Sequence, residues 1–204
     1  YLVINGYRFV EINENDLPDL RVMVYEKATE LALHGTVLLS PEGINVALCG
    51  KTADVELLVK YFDTFACTKN MTFKFMPHDM PIFRRLIVKV KSQIIVFEDK
   101  KIDANDVENK RMQPAELKSI LDNNPDDIVL LDTRNQFEVE FGTFKQADTL
   151  PVRRFRSFCK VIDEADIDKN KTVVTFCTGG VRCEKVVPYM RKQGYKNVYQ
   201  LEGG

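Results

Sequence analysis

The residues best suited to chemistry lie in one run, Thr175-Phe176-Cys177-Thr178-Gly179-Gly180-Val181-Arg182-Cys183-Glu184. An apolar strand pattern, Val173 to Phe176, leads into a Gly-Gly turn, and a helix is predicted from about Arg182. A tight glycine turn and the first turn of a helix both present backbone N–H groups that lack intrahelical partners. Those groups converge on whatever sits inside the turn. The helix dipole and the Arg182 guanidinium add positive potential. All three stabilise a thiolate, so the pKa of Cys177 is expected to fall below the ~8.5 of a free thiol. The run reads as a holder for a nucleophilic sulfur.

Two blander readings compete. A cysteine is often only a small buried hydrophobe, although few such residues open a Gly-Gly anion loop. A phosphate-cradling loop of the cysteine phosphatase kind needs its arginine six positions after the cysteine, and Arg182 is five after Cys177. The shorter ring suits a sulfur or a base edge better than a phosphate. A non-haem iron site needs two histidines and a carboxylate. The only histidines, His34 and His78, lie in the N-terminal half and are expected to be structural or surface residues. No dinucleotide fingerprint is present. The chemistry therefore falls on Cys177, with Cys183 beside it, and no metal or cofactor is predicted. Cys49, Cys67 and Cys159 read as packing residues.

Positioning these residues is the task of the rest of the chain. Its 204 residues, 45% hydrophobic, suffice for one large or two small domains. The net charge of −1 excludes a global basic field, so any RNA contact must come from local patches. An odd count of five cysteines without paired spacing indicates reduced thiols and a cytoplasmic setting. No apolar run approaches a membrane span and no signal-peptide pattern opens the chain. The sequence begins at Tyr1 without Met and stops at Gly203-Gly204, so both ends are expected to be trimmed.

Leu2 to Ile12 reads as a strand, and Asn15-Asp16 with Pro18 opens a helix that Gly35 is expected to end. Thr36 to Leu39 and Val46 to Cys49 are strands around the turn Ser40 to Asn45. Thr52 starts a second helix, and Met71 to Met76 is a strand with Phe73 and Phe75 on one face. Strand, helix, strand, strand, helix, strand is the ferredoxin-like split βαβ. An extra strand follows at Leu86, Val88 and Val90, with Arg85, Lys89 and Lys91 on its other face. These elements define a first domain, residues 1–97. The charged segment 98–112 reads as a linker. In 113–204, apolar strands such as Ile128 to Leu131 alternate with helices, which predicts a doubly wound parallel sheet with its site at the strand carboxyl ends. Cys177 and Asp132 both sit at such ends.

The loop from Cys177 to Cys183 resembles the active-site loop of rhodanese domains. Leu131-Asp132-Thr133-Arg134, followed by Glu138 and Gly142, is similar to their second signature, with Thr143 where many relatives have His. The longer run from Cys177 to Lys185 resembles the subfamily of tRNA uridine hydroxylases. So do Leu38-Leu-Ser-Pro-Glu-Gly-Ile-Asn45 and Pro81-Ile-Phe-Arg-Arg-Leu-Ile-Val-Lys89. The similarity spans essentially the whole chain. It implies an N-terminal ferredoxin-like domain and a rhodanese domain, a further Cys-containing segment past Gly204, and oxygen-dependent 5-hydroxylation of the wobble uridine in tRNA. Molecular oxygen is then a co-substrate and the anticodon loop a partner, with no obligate protein partner evident.

Cys177 is the expected nucleophile, within a loop formed by Thr178, Gly179, Gly180, Val181, Arg182 and Cys183, and Asp132 and Arg134 are supporting residues. Adding a thiolate to uracil C6 makes C5 electron-rich enough for oxygen, with the loop N–H groups and Arg182 stabilising the enolate. Cys183 can protect Cys177 as a disulfide if their sulfurs come close enough. Arg84 and Arg85 are either RNA contacts or the solvated face of an edge strand. Arg153, Arg154 and Arg156 alternate with Phe155, and guanidinium and ring planes there are expected to stack splayed bases. Ser40 to Asn45 is either a functional turn or a well-formed hairpin. Two other functions stay open: a sulfurtransferase with a persulfide on Cys177, and a non-enzymatic RNA-binding module.

Overall fold

The computed structural model describes residues 1–99, 102–104 and 110–204. Their contacts separate into two compact units, Tyr1–Ile94 and Ile95–Gly204.

In the first unit, β1 (Leu2–Phe9), α1 (Leu17–Glu30), β2 (His34–Ser40), β3 (Gly43–Gly50), α2 (Thr52–Phe62) and β4 (Lys74–Pro77) give the ferredoxin-like order, and β5 (Leu86–Val90) is added. The sheet runs β4-β1-β3-β2-β5, with β5 parallel to β2 and the other pairs antiparallel. Helical spacing puts Leu17, Leu20, Val24 and Ala28 of α1 and Val55, Leu58 and Phe62 of α2 on buried faces. They close one core with Ile4, Val37, Leu39, Val46 and Leu48. Each such large side chain contributes about 1.5–3 kcal/mol on full burial.

Local signals mislead at Gly35 and Phe73, and they hold at the Ser40 to Asn45 turn, which is tighter than its sequence suggests. Gly35 does not end α1, which stops at Glu30; it lies inside β2 at φ +130°, where a Cβ would meet the Ala47 carbonyl oxygen at 2.1 Å. Close strand approach, not helix capping, requires glycine there. The Ser40 to Asn45 segment is a hairpin whose two turn residues are Pro41 and Glu42, with Ser40 paired to Gly43. Glu42 accepts the Ile94 N–H at 2.7 Å and Asn45 donates to the Ile94 carbonyl at 3.4 Å, so the hairpin also fastens the end of the unit. Phe73 precedes β4 and stacks on Phe62 in the core, while Phe75 in β4 is half exposed.

The second unit contains β6 (Arg111–Met112), α3 (Pro114–Asn123), β7 (Ile128–Asp132), α4 (Gln136–Glu140), β8 (Ala147–Thr149), α5 (Phe158–Asp163), β9 (Thr172–Phe176), α6 (Cys183–Lys192) and β10 (Asn197–Leu201). All pairs in the sheet β6-β10-β9-β7-β8 are parallel. Alternation assigns successive residues to opposite faces. Val173 joins a core with Val186, Val187 and Met190 of α6, whereas Val174 joins Leu117 of α3 in another. Both faces are covered, as a doubly wound sheet requires.

Segment 98–112 departs from a plain linker. Residues 100–101 and 105–109 lie outside the described residues, but Arg111–Met112 pairs with β10. Phe97, grouped by sequence with the first domain, is buried in the second unit against Phe155, Phe158 and Tyr189. Its burial is decided by aromatics some 60 to 90 positions away along the chain, which local composition does not reveal. Among the described residues, no helix is long and apolar enough to cross a membrane.

Candidate active site

β9 ends at Phe176 and hands the chain directly to Cys177, beside the end of β7, where Asp132 pairs with Phe176. Gly179 and Gly180 have φ of +82° and +96°, a region that side-chain-bearing residues rarely occupy. A Cβ on Gly179 would meet nothing within 4 Å, so backbone conformation rather than crowding demands glycine. The turn is pinned from below: the Cys183 N–H donates to the Gly180 carbonyl at 3.0 Å and Gln200 Nε2 donates to the same oxygen at 3.1 Å. Gly204 packs so closely that a Cβ on it would lie 2.4 Å from the Gly180 nitrogen.

Cys177 is only 4% exposed, yet it lines an open cleft of about 380 Å³ with Arg134, Thr143, Phe144, Phe176 and Thr178. Burial is the largest influence on its thiol and pushes the pKa up. A hydrogen bond from the Cys183 thiol, the Arg182 charge and the N–H groups of Arg182 and Cys183 outweigh it and bring the pKa down to about 7. Cys183 is driven the other way, first by burial, then by its hydrogen bond to Cys177 and the charge there, so it remains a thiol and donates. Its sulfur lies 3.6 Å from Thr133 Oγ1. Val181, between the two cysteines in sequence, is buried.

Arg182, the residue preceding α6, forks onto Glu138: Nη1 donates to Oε2 and Nη2 to Oε1, both at 2.7 Å. Thr178 Oγ1 donates to Glu138 Oε1 at 3.1 Å. Burial pushes the Glu138 carboxyl up, but Arg182 and these donors hold it below the usual carboxylate range. The fork ties α4 to the loop. It also keeps Arg182 out of the cleft lining.

The cation that does line the cleft is Arg134. Fully buried Asp132 accepts from the Arg134 backbone N–H, from Nε at 3.0 Å and from Nη2 at 2.6 Å, and from Thr143 Oγ1 at 2.8 Å. Desolvation raises the Asp132 pKa, and these bonds lower it further than that. Arg134 Nη2 also reaches the Gly142 carbonyl at 2.7 Å, and the guanidinium carbon stands 5.9 Å from the Phe176 ring centroid. Nη1 has no hydrogen-bond partner among the described residues.

The structure therefore brings Cys177, Thr178, Cys183, Asp132 and Arg134 together, with Arg182 behind the loop. Arg153, Arg154 and Arg156 are exposed and do not line the cleft. Phe155 between them is buried in the core, so its ring is unavailable for stacking a base. Amphipathic alternation, with the ring inward and the arginines outward, explains the run. Arg84 and Arg85 are exposed in the first unit, where Arg85 lines a groove with Arg21, Tyr25 and Lys89. No local sequence pattern points to Arg21, to Phe144 or to the pairing of Glu138 with Arg182. The last spans 44 positions and carries no local signal. Among the described residues, no three His, Cys, Asp or Glu side chains are grouped to hold a metal ion. His78 is exposed, with Nδ1 2.9 Å from the Met80 carbonyl oxygen.

Comparison with known proteins agrees with this anatomy. Residues 1–94 match the UPF0176 acylphosphatase-like domain, and residues 113–204 match the rhodanese-like domain. A protein of Ralstonia nicotianae named tRNA uridine(34) hydroxylase is 40% identical over 206 residues, covering 98% of this chain and 72% of that protein. Proteins of the same name from Bordetella pertussis and Bordetella petrii are 40% and 38% identical, covering 98% of this chain and 84% and 81% of their own lengths.

Proposed function

The chain belongs to the tRNA uridine(34) hydroxylase family, and from that membership together with the setting of Cys177 we propose that it hydroxylates C5 of the wobble uridine of tRNA. The observation that carries the reading is a thiol of pKa about 7 at the wall of an open cleft of about 380 Å³, within the size range of small-molecule sites. The target base leaves its stack and enters that cleft.

The Cys177 thiolate forms a bond to C6, and the C5–C6 π pair moves to C5 and O4 as an enolate. Arg134, through Nη1, is the donor placed to stabilise O4, a role the sequence suggested for Arg182. The enolate carbon bonds to molecular oxygen, which takes the electron pair and a solvent proton to become a C5 hydroperoxide. A dithiol reductant supplies two electrons and two protons, the O–O bond breaks, and water leaves. Loss of the C5 proton and departure of Cys177 restore the double bond. The balance is uridine plus O2, two electrons and two protons giving 5-hydroxyuridine and water. The same class of reductant returns a Cys177–Cys183 disulfide to thiols. The partner is the anticodon loop, and the setting is the cytoplasm, where the five free cysteines stay reduced.

The test is mass analysis of tRNA from cells lacking the protein and from the same cells re-expressing it. Hydroxyuridine at the wobble position should vanish and return; its persistence in the deletion contradicts the proposal. The rhodanese-like match favours one other reading, a persulfide carrier whose terminal sulfur the loop N–H groups hold. Intact mass after thiosulfate treatment, with one sulfur gained at Cys177, identifies that activity.

A further inference from the structure

Three phenylalanines crowd the eight residues between 137 and 144, beside the cleft. Phe137 is 57% exposed, Phe141 92% and Phe144 48%. Among the described residues, Phe75 is the only other phenylalanine left largely in water. Helical geometry puts Phe137 and Phe141, four positions apart, on one face of α4 and its cap. Glu138 of the same helix is bonded to Thr178 and Arg182, so this face is held rigidly against the active loop. Gly142, next to Phe141, lines the cleft, as does Phe144, whose ring packs edge-on against Phe176 at 4.8 Å.

We infer that these rings form a stacking ledge for RNA: Phe144 takes the face of the extruded uracil, and Phe141 with Phe137 takes the neighbouring base of the anticodon loop. The inference rests on the reading of the protein as a tRNA hydroxylase and adds the residues that select an unstacked strand. Pulling a base from its stack exposes the faces of its neighbours, and a flat apolar ring at the cleft mouth replaces the lost stacking partner. Apolar surface left in water on Phe141 is surface that gains by being covered. Charge complements this occupant. Glu138, the carboxylate of this helix nearest the loop, is neutralised by Arg182, so it does not repel the strand. A near-neutral ledge also gives binding that does not depend on salt, unlike phosphate contact.

The experiment measures affinity of the full chain for a fluorescent anticodon stem-loop RNA with uridine at the wobble position, across a salt series. Phe141→Ala should weaken binding about tenfold with the slope of affinity against salt unchanged. Phe141→Trp should bind at least as well as the natural chain, and Phe141→Leu, apolar but not planar, should resemble the alanine variant. Equal affinity for Phe141→Ala, or full rescue by leucine, overturns the ledge. So does loss of self-association in Phe141→Ala with RNA affinity intact, since the ring then contacts a second copy. If the natural chain neither binds nor hydroxylates the RNA, the hydroxylase reading itself fails, an outcome separate from the others.

Discussion

Among the described residues, the first unit buries only Ser40 and Thr68 as polar side chains, whereas the second buries Asp132, Thr133, Thr175, Glu184, Lys185 and Gln200. In the first unit both hydroxyls serve local turns: Ser40 accepts the Glu42 N–H, and Thr68 donates to the Phe62 carbonyl. In the second they brace the strand ends that carry the site. Thr133 donates to the Phe176 carbonyl at 2.9 Å, Thr175 to the Tyr199 carbonyl at 3.2 Å, and Gln200 to the loop itself. A buried polar group costs stability unless bonded, so such a concentration marks where a fold holds geometry rather than maximises its core. One sheet is built for apolar packing and the other for a sulfur.

The comparison breaks first at Cys177. Cys177→Ser should lower hydroxylation to background while leaving the melting temperature nearly unchanged, because little volume is lost. Wild-type turnover would remove the second unit's claim to the chemistry. Next in size is Leu48→Ala, a fully buried side chain in the first core. Denaturant unfolding should show a loss of about 2–5 kcal/mol, with the Cys177 alkylation rate in the folded protein unaltered; a changed rate would show that the first unit also tunes the thiol.

The thiol itself sets a third, smaller effect. Alkylation should rise with pH through about 7 and fall about tenfold per unit below it, as thiolate is lost. Folding lowers this pKa to about 7 from the ~8.5 of a free thiol, so the unfolded chain holds the extra proton across the window between them. Stability contributed by Cys177 should therefore rise with pH across that window and be absent below it. Arg182→Ala should shift the alkylation midpoint to higher pH, and an unmoved midpoint would count against the cation. Smallest are the exposed arginines. Arg154→Ala and Arg156→Ala should each weaken tRNA binding and reduce its salt slope by about one; an unaltered slope makes them merely solvated residues ahead of α5.

Where pattern and structure agree, the pattern was repeated and local. The unbroken apolar run of β7 announced a sheet covered on both faces, and Cys177-Thr-Gly-Gly announced a loop whose following N–H groups, those of Arg182 and Cys183, bond the Cys177 sulfur. Where they differ, the deciding contact is distant. Gly35 looks like a helix stop until Ala47 is placed 2.1 Å from its missing Cβ. Arg111–Met112 is too short to read as a strand without β10 beside it. Phe155 sits among arginines in sequence but among Phe97 and Phe158 in space. In the site, the loop was legible and its bracing was not: the fork from Arg182 to Glu138 moves one cation behind the loop and leaves Arg134 facing the cleft.

The most direct test uses a tRNA bearing 5-fluorouridine at the wobble position. Fluorine at C5 blocks the final proton loss, so a thiolate that has added to C6 is trapped. The account predicts one covalent RNA adduct, mapped by mass spectrometry to Cys177 and absent in Cys177→Ser. No adduct on Cys177, together with activity that a chelator removes and added iron restores, would contradict it and assign the chemistry to a metal.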